Sequence, residues 1–82
     1  MNLRAIIIDD EESAREVLAN LLNRFCTQVE VVAVCEDLSQ AVELIKKNKP
    51  DLVFSDIEMP DYAGYEIVSF FKEIDFDIIF PK

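Results

Sequence analysis

Short apolar runs that end in acids recur along this chain, and segments with a helical period separate them. Ala5-Ile6-Ile7-Ile8 runs into Asp9-Asp10-Glu11, and Leu52 to Ser55 runs into Asp56. A run of this length without polar alternation suits a strand buried on both faces, as in parallel sheets. Between them, Ala14, Val17, Leu18, Leu21, Leu22 and Phe25 recur at three- and four-residue steps, the stripe of an amphipathic helix. Ser13 and Glu16 have the spacing of a capping box for it, the alternative being a helix that begins a turn earlier. Val29 to Cys35 is rich in Val and predicts a second strand.

The alternation continues. Asp37 offers an N-cap with Gln40 three residues on, and Leu38, Ala41, Val42 and Ile45 mark the inner face of a second helix. Lys46, Lys47 and Lys49 complement its C-terminal dipole, and Pro50 stops it. After the third strand, Met59 to Gly64 has the turn residues of a loop. Ile67, Val68, Phe71 and Ile74 outline a third helix, and Ile78 to Phe80 a fourth strand before Pro81. The order β-α-β-α-β-α-β predicts an α/β fold, a parallel sheet layered between helices. The 82 residues make one domain at most, with a marginal core.

Charge and residue usage exclude several functions. Seventeen acids against eight bases give a net charge of −9, which repels phosphate and argues against direct contact with nucleic acid. The chain has no His, so it is neither a phosphohistidine carrier nor a Ser-His-Asp hydrolase, and its two cysteines have no partner for a zinc site or a Cys–His pair. Cys26 and Cys35 lie in or beside apolar stretches and are expected to be buried free thiols. No apolar run approaches the ~20 residues of a membrane span. The start lacks the pattern of a signal peptide. A cytoplasmic location without membrane contact is expected.

The acids carry the chemistry. In parallel α/β sheets, ligands bind beyond the carboxyl ends of the strands at a topological switch point. If the first and third strands are neighbours, Asp9, Asp10, Glu11, Asp56 and Glu58 converge on one rim. Crowded carboxylates repel one another, and a divalent cation relieves that repulsion. Oxygen-only donors suit Mg²⁺, which keeps several waters and takes few carboxylates. A metal beside an Asp also suits phosphoryl transfer through an aspartyl phosphate. The alternative is a set of solvated acids serving as turn and cap residues.

Ile6-Ile7-Ile8-Asp9-Asp10-Glu11, followed by Asp56-Ile57-Glu58-Met59-Pro60 and then Gly64, resembles the receiver domain of two-component response regulators. The likeness covers nearly the whole chain in the correct order. Residues Arg4 to Arg15 are similar to receivers joined to a LytTR-type DNA-binding domain. The resemblance implies a flavodoxin-like strand order 2-1-3-4. It implies Asp56 as phosphate acceptor, with phosphate drawn from a sensor histidine kinase. It further implies Asp10 as a Mg²⁺ ligand, Asp9 acting directly or through water, and the Glu58 backbone carbonyl completing the protein's ligands. Pro60 and Gly64 then shape the loop into the third helix, Met59 packs, and Glu11 is a first-turn acid. Haloacid-dehalogenase-like phosphatases also place an Asp after an apolar strand. They carry D-x-D-G-T there, whereas this chain has Asp9-Asp10-Glu11-Glu12-Ser13.

A whole receiver has five βα units, and this chain ends at Lys82, before a fifth strand. The resemblance therefore implies a single incomplete receiver over residues 1–82. Pro81-Lys82 stands where a Ser or Thr ends the family's fourth strand, and the Lys that follows a fifth strand has no counterpart. An uncovered sheet face and a bare fourth-strand edge imply self-association, as a two-fold homodimer. The chain reads as a signalling module rather than an independent enzyme. The alternative is an interaction module that dimerises without phosphotransfer.

Overall fold

The computed structural model describes residues 2–55 and 76–79. Among the described residues the elements are, in chain order, β1 (Leu3–Ile8), α1 (Glu12–Phe25), β2 (Val29–Cys35), α2 (Leu38–Asn48), β3 (Leu52–Ser55) and β4 (Asp77–Ile79). All pairings are parallel and the order across the sheet is β2-β1-β3-β4. The expected three-layer, flavodoxin-like arrangement is therefore present. The loop at 59–64, the third helix and Phe80 lie outside the described residues.

The strand order dictates where the helices lie. The chain leaves β1 in one direction to reach β2, then crosses back over β1 to reach β3. Right-handed crossovers in opposite directions put α1 and α2 on opposite faces. Side chains alternate along β1, so Ile6 and Ile8 face one helix while Ala5 and Ile7 face the other. All four are buried, which explains the unbroken apolar run.

The main core is on the α2 face. Ile6, Ile8, Cys35, Leu38, Ala41, Ile45, Val53 and Phe76 form one cluster there. A bulge in β2 adds to it. Ala5 pairs with Val31 but Ile6 pairs with Ala33, so Val32 is an extra residue, and Val32 and Ala33 both pack against the cluster. The extra twist falls on an edge strand, where regular pairing invites unwanted partners.

The two helices are capped differently. Asp37 caps α2, its side chain accepting from the amide of Gln40, and the Gln40 side chain accepts from the amide of Glu36. At the other end Lys49 adopts a left-handed conformation at φ 49°, donating its amide to Ile45, and Pro50 prevents continuation. For α1 the alternative of an earlier start holds, and no capping box forms at Ser13. The helix starts at Glu12 with Glu11 as its N-cap, so Ser13 lies inside the first turn.

The apolar stripe of α1 divides into two ridges. Ala14, Leu18 and Leu22 are buried or half-buried. Val17, Leu21 and Phe25 are 58%, 48% and 72% exposed. Each set steps by four residues and forms one ridge of the helix surface, and only the first faces the sheet. The guanidinium of Arg24 lies 5.5 Å from the centre of the Phe25 ring, giving that ring a partial cover. Cys26, expected to be buried, is exposed at the end of this helix, while Cys35 is buried as expected.

Candidate functional site

Register decides where the acids go. Ile8 is paired with Ser55 on β3 and with Cys35 on β2, so three neighbouring strands finish at one level. Adjacent strands run about 4.8 Å apart. Asp9-Asp10 and Asp56 are the residues that follow Ile8 and Ser55. After β1 the chain turns toward β2, whereas β4 lies on the other side of β3. The gap between the ends of β1 and β3 is therefore a topological switch point, the usual ligand position in open α/β sheets.

Asp9 is the fixed point of this rim. Its amide donates to the Cys35 carbonyl at 3.1 Å. Its Oδ1 accepts the Glu11 amide at 2.9 Å, a local Asx-type turn that leads into α1. Its backbone carbonyl accepts from Nη1 of Arg15 at 2.7 Å. Asp9 is half-buried, whereas Asp10 and Glu11 are exposed at the mouth of the turn. Glu12 occupies the first turn of α1, where the helix dipole favours an acid. Residue spacing alone assigns no role to Arg15. The available signal is its place one turn into α1, six residues after Asp9, which lets a long side chain reach back over the helix start.

Two buried groups lie beneath the rim. Burial pushes the Cys35 thiol up to about 12, repulsion from Asp37 adds to the rise, and Arg15 opposes it. That thiol contacts the Ile7 carbonyl at 3.7 Å and stays protonated at neutral pH. The Ser55 hydroxyl is buried and has no hydrogen-bond partner among the described residues.

The donors suit a hard cation. Asp9 and Asp10 offer carboxylate oxygens only, and Mg²⁺ characteristically takes one or two protein carboxylates and keeps its waters. Among the described residues no group of three or more His, Cys, Asp or Glu is placed to hold a metal. Asp56 and Glu58, expected to complete the set, lie outside the described residues, as do Met59, Pro60 and Gly64. No described helix is long and apolar enough to cross a membrane.

Comparison with known proteins agrees with this geometry. The family described as the response regulator receiver domain matches residues 5–80. The sensory transduction protein LytT of Bacillus anthracis is 39% identical over 72 residues, covering 88% of this chain and 29% of that protein. An uncharacterized response regulatory protein of Yersinia pestis is 45% identical over 67 residues, covering 82% of this chain and 28% of that protein. The chain thus spans less than a third of the length of these relatives. Among solved structures, the response regulator domain of Thermotoga maritima CheB superposes with a TM-score of 0.85 at 30% identity, over 98% of this chain and 60% of that one.

Proposed function

This chain belongs to the response regulator receiver domain family, and from that premise we propose that Asp56 is its phosphate acceptor, served by a sensor histidine kinase. A carboxylate oxygen of Asp56 attacks the phosphorus of a phosphohistidine. The new P–O bond forms as the P–N bond breaks, and the imidazole nitrogen leaves with the electron pair and takes up a proton. Asp9, Asp10, Asp56 and the backbone carbonyl of Glu58 would hold Mg²⁺, which when bound would supply positive charge to the phosphoryl oxygens. Asp10 contributes its exposed carboxylate directly. Asp9, whose Oδ1 already accepts from Glu11, contributes through its other oxygen or through water.

The in-register pairing of Ile8 with Ser55 supports this reading, because it ends β1 and β3 at one level beside the switch point, and Asp9 and Asp56 come next in the sequence. The test is intact-mass spectrometry after incubation with acetyl phosphate and Mg²⁺. One phosphoryl adduct is expected on the wild type and none on Asp56→Asn. A wild type that gains no adduct overturns the proposal.

A second reading is an interaction module that forms a two-fold homodimer without phosphotransfer. The exposed ridge of Val17, Leu21 and Phe25 favours it, since these side chains lie in a row on one helix. Sedimentation at micromolar concentration tests it, and a stable monomer excludes it. On either reading residues 1–82 lie within one receiver domain in the cytoplasm, and no nucleic-acid contact is assigned to them.

A further inference from the structure

We propose that Arg15 is a positioning residue for the cation site, holding the peptide plane between Asp9 and Asp10. The inference rests on the reading of Asp9 and Asp10 as cation ligands and adds to it a residue with no role in that reading.

The geometry is local. The oxygen that Arg15 grips at 2.7 Å is the carbonyl of Asp9, and it lies in the same planar unit as the Asp10 amide. The Asp9 amide is held by Cys35 and its Oδ1 by the Glu11 amide. Those two bonds hold Asp9 at its amide and its side chain, and the Glu11 bond restricts the rotation that aims the Asp9 carbonyl only together with the torsions of Asp10, so part of that freedom remains. The Arg15 contact removes that freedom. Asp10 then leaves a fixed plane, and only its own torsions remain to aim its carboxylate.

Arg15 is itself well anchored. It rides on the first turn of α1, its amide donating to the Glu11 carbonyl at 3.1 Å, and it is half-buried. A guanidinium suits the task. It is permanently charged and planar, and the charge strengthens its hydrogen bond to a carbonyl.

Charge and position act in opposite directions here. The Arg15 cation repels a divalent ion nearby, so deleting its charge alone tightens Mg²⁺ binding. Releasing the Asp9–Asp10 plane weakens it. The proposal is that position outweighs charge, as for outer partners of metal ligands, whose loss costs about 10–100-fold in affinity.

The experiment is isothermal titration with Mg²⁺ alone, on the full chain and its Asp10→Asn, Arg15→Met and Arg15→Lys variants. Thermal melts in EDTA accompany it. The expected result is binding weakened roughly tenfold or more in Arg15→Met, with much of the loss recovered in Arg15→Lys and metal-free melts close to wild type. Arg15→Met binding as tightly as wild type, or more tightly, overturns the proposal and leaves only the charge effect. An Arg15→Met chain that does not fold in EDTA also overturns it, because Arg15 is then holding the fold. If Asp10→Asn binds like wild type, the cation-site reading fails. If Asp10→Asn loses binding and Arg15→Met does not, only the present inference fails.

Discussion

Arg4 and Asp51 grip each other through backbone and side chain together. The Arg4 amide donates to Oδ2 of Asp51 at 2.9 Å, and the Asp51 amide donates to the Arg4 carbonyl at 2.8 Å. The Arg4 guanidinium also donates to the carbonyl of Asn48 at the end of α2. The pair thus closes the turn from α2 into β3 onto the first residues of β1, at the end of the sheet opposite the acidic rim. Asp51→Ala leaves the Arg4 amide without this acceptor, and urea unfolding should show a loss of about 1–2 kcal/mol. Asp51→Asn keeps an acceptor oxygen and should lose less. Equal stability in all three chains would mean that water replaces the carboxylate at no cost.

The start of α2 depends on Asp37, whose side chain accepts the Gln40 amide at 2.8 Å. Asp37→Ala should cost about 1 kcal/mol in chemical denaturation, and Asp37→Ser should restore most of it. The same substitution removes the repulsion that Asp37 exerts on the Cys35 thiolate, so it should also shift that thiol toward its ordinary value.

The two cysteines should differ sharply in reactivity. Cys26 is exposed, whereas Cys35 is buried with its thiol pushed up to about 12. Iodoacetamide at pH 8 should modify Cys26 alone in the native chain and both residues in urea, as read by peptide mass mapping. Stability should respond to pH as well. Above its ordinary value of 9.0 the unfolded thiol loses its proton, while the folded one keeps it until about 12. The unfolded state then binds fewer protons, so stability falls as pH rises across that window. Cys35→Ala should flatten the alkaline slope.

Ser55 buries a hydroxyl that has no partner among the described residues. An unsatisfied buried polar group costs about 1–3 kcal/mol. Ser55→Ala should therefore raise the melting temperature, with a gain on the order of 1 kcal/mol. A lower melting temperature would reveal that the hydroxyl has a hydrogen bond in solution.

Burial should separate two apolar truncations. Leu38→Ala opens a hole in the core beneath α2 and should cost about 2–5 kcal/mol. Phe25→Ser removes an exposed ring and should stay within about 0.5 kcal/mol for the monomer. If the ridge of α1 forms a homodimer contact, sedimentation should show Phe25→Ser shifting the population toward monomer.

Local pattern carried much of this structure. The apolar run of β1, the Val-rich β2, the cap at Asp37 and the stop at Pro50 are all legible because each depends on neighbours within about four residues. The same runs show that two strands hand over to acids. Tertiary structure alone decided the register of the strand pairs, and so brought Ile8 level with Ser55. It also inserted Val32 as a bulge and turned Val17, Leu21 and Phe25 away from the sheet. Those outcomes turn on distances between residues remote in the chain or on which helix ridge finds a partner. Side-chain periodicity marks a surface as apolar or polar, but only packing selects what covers it.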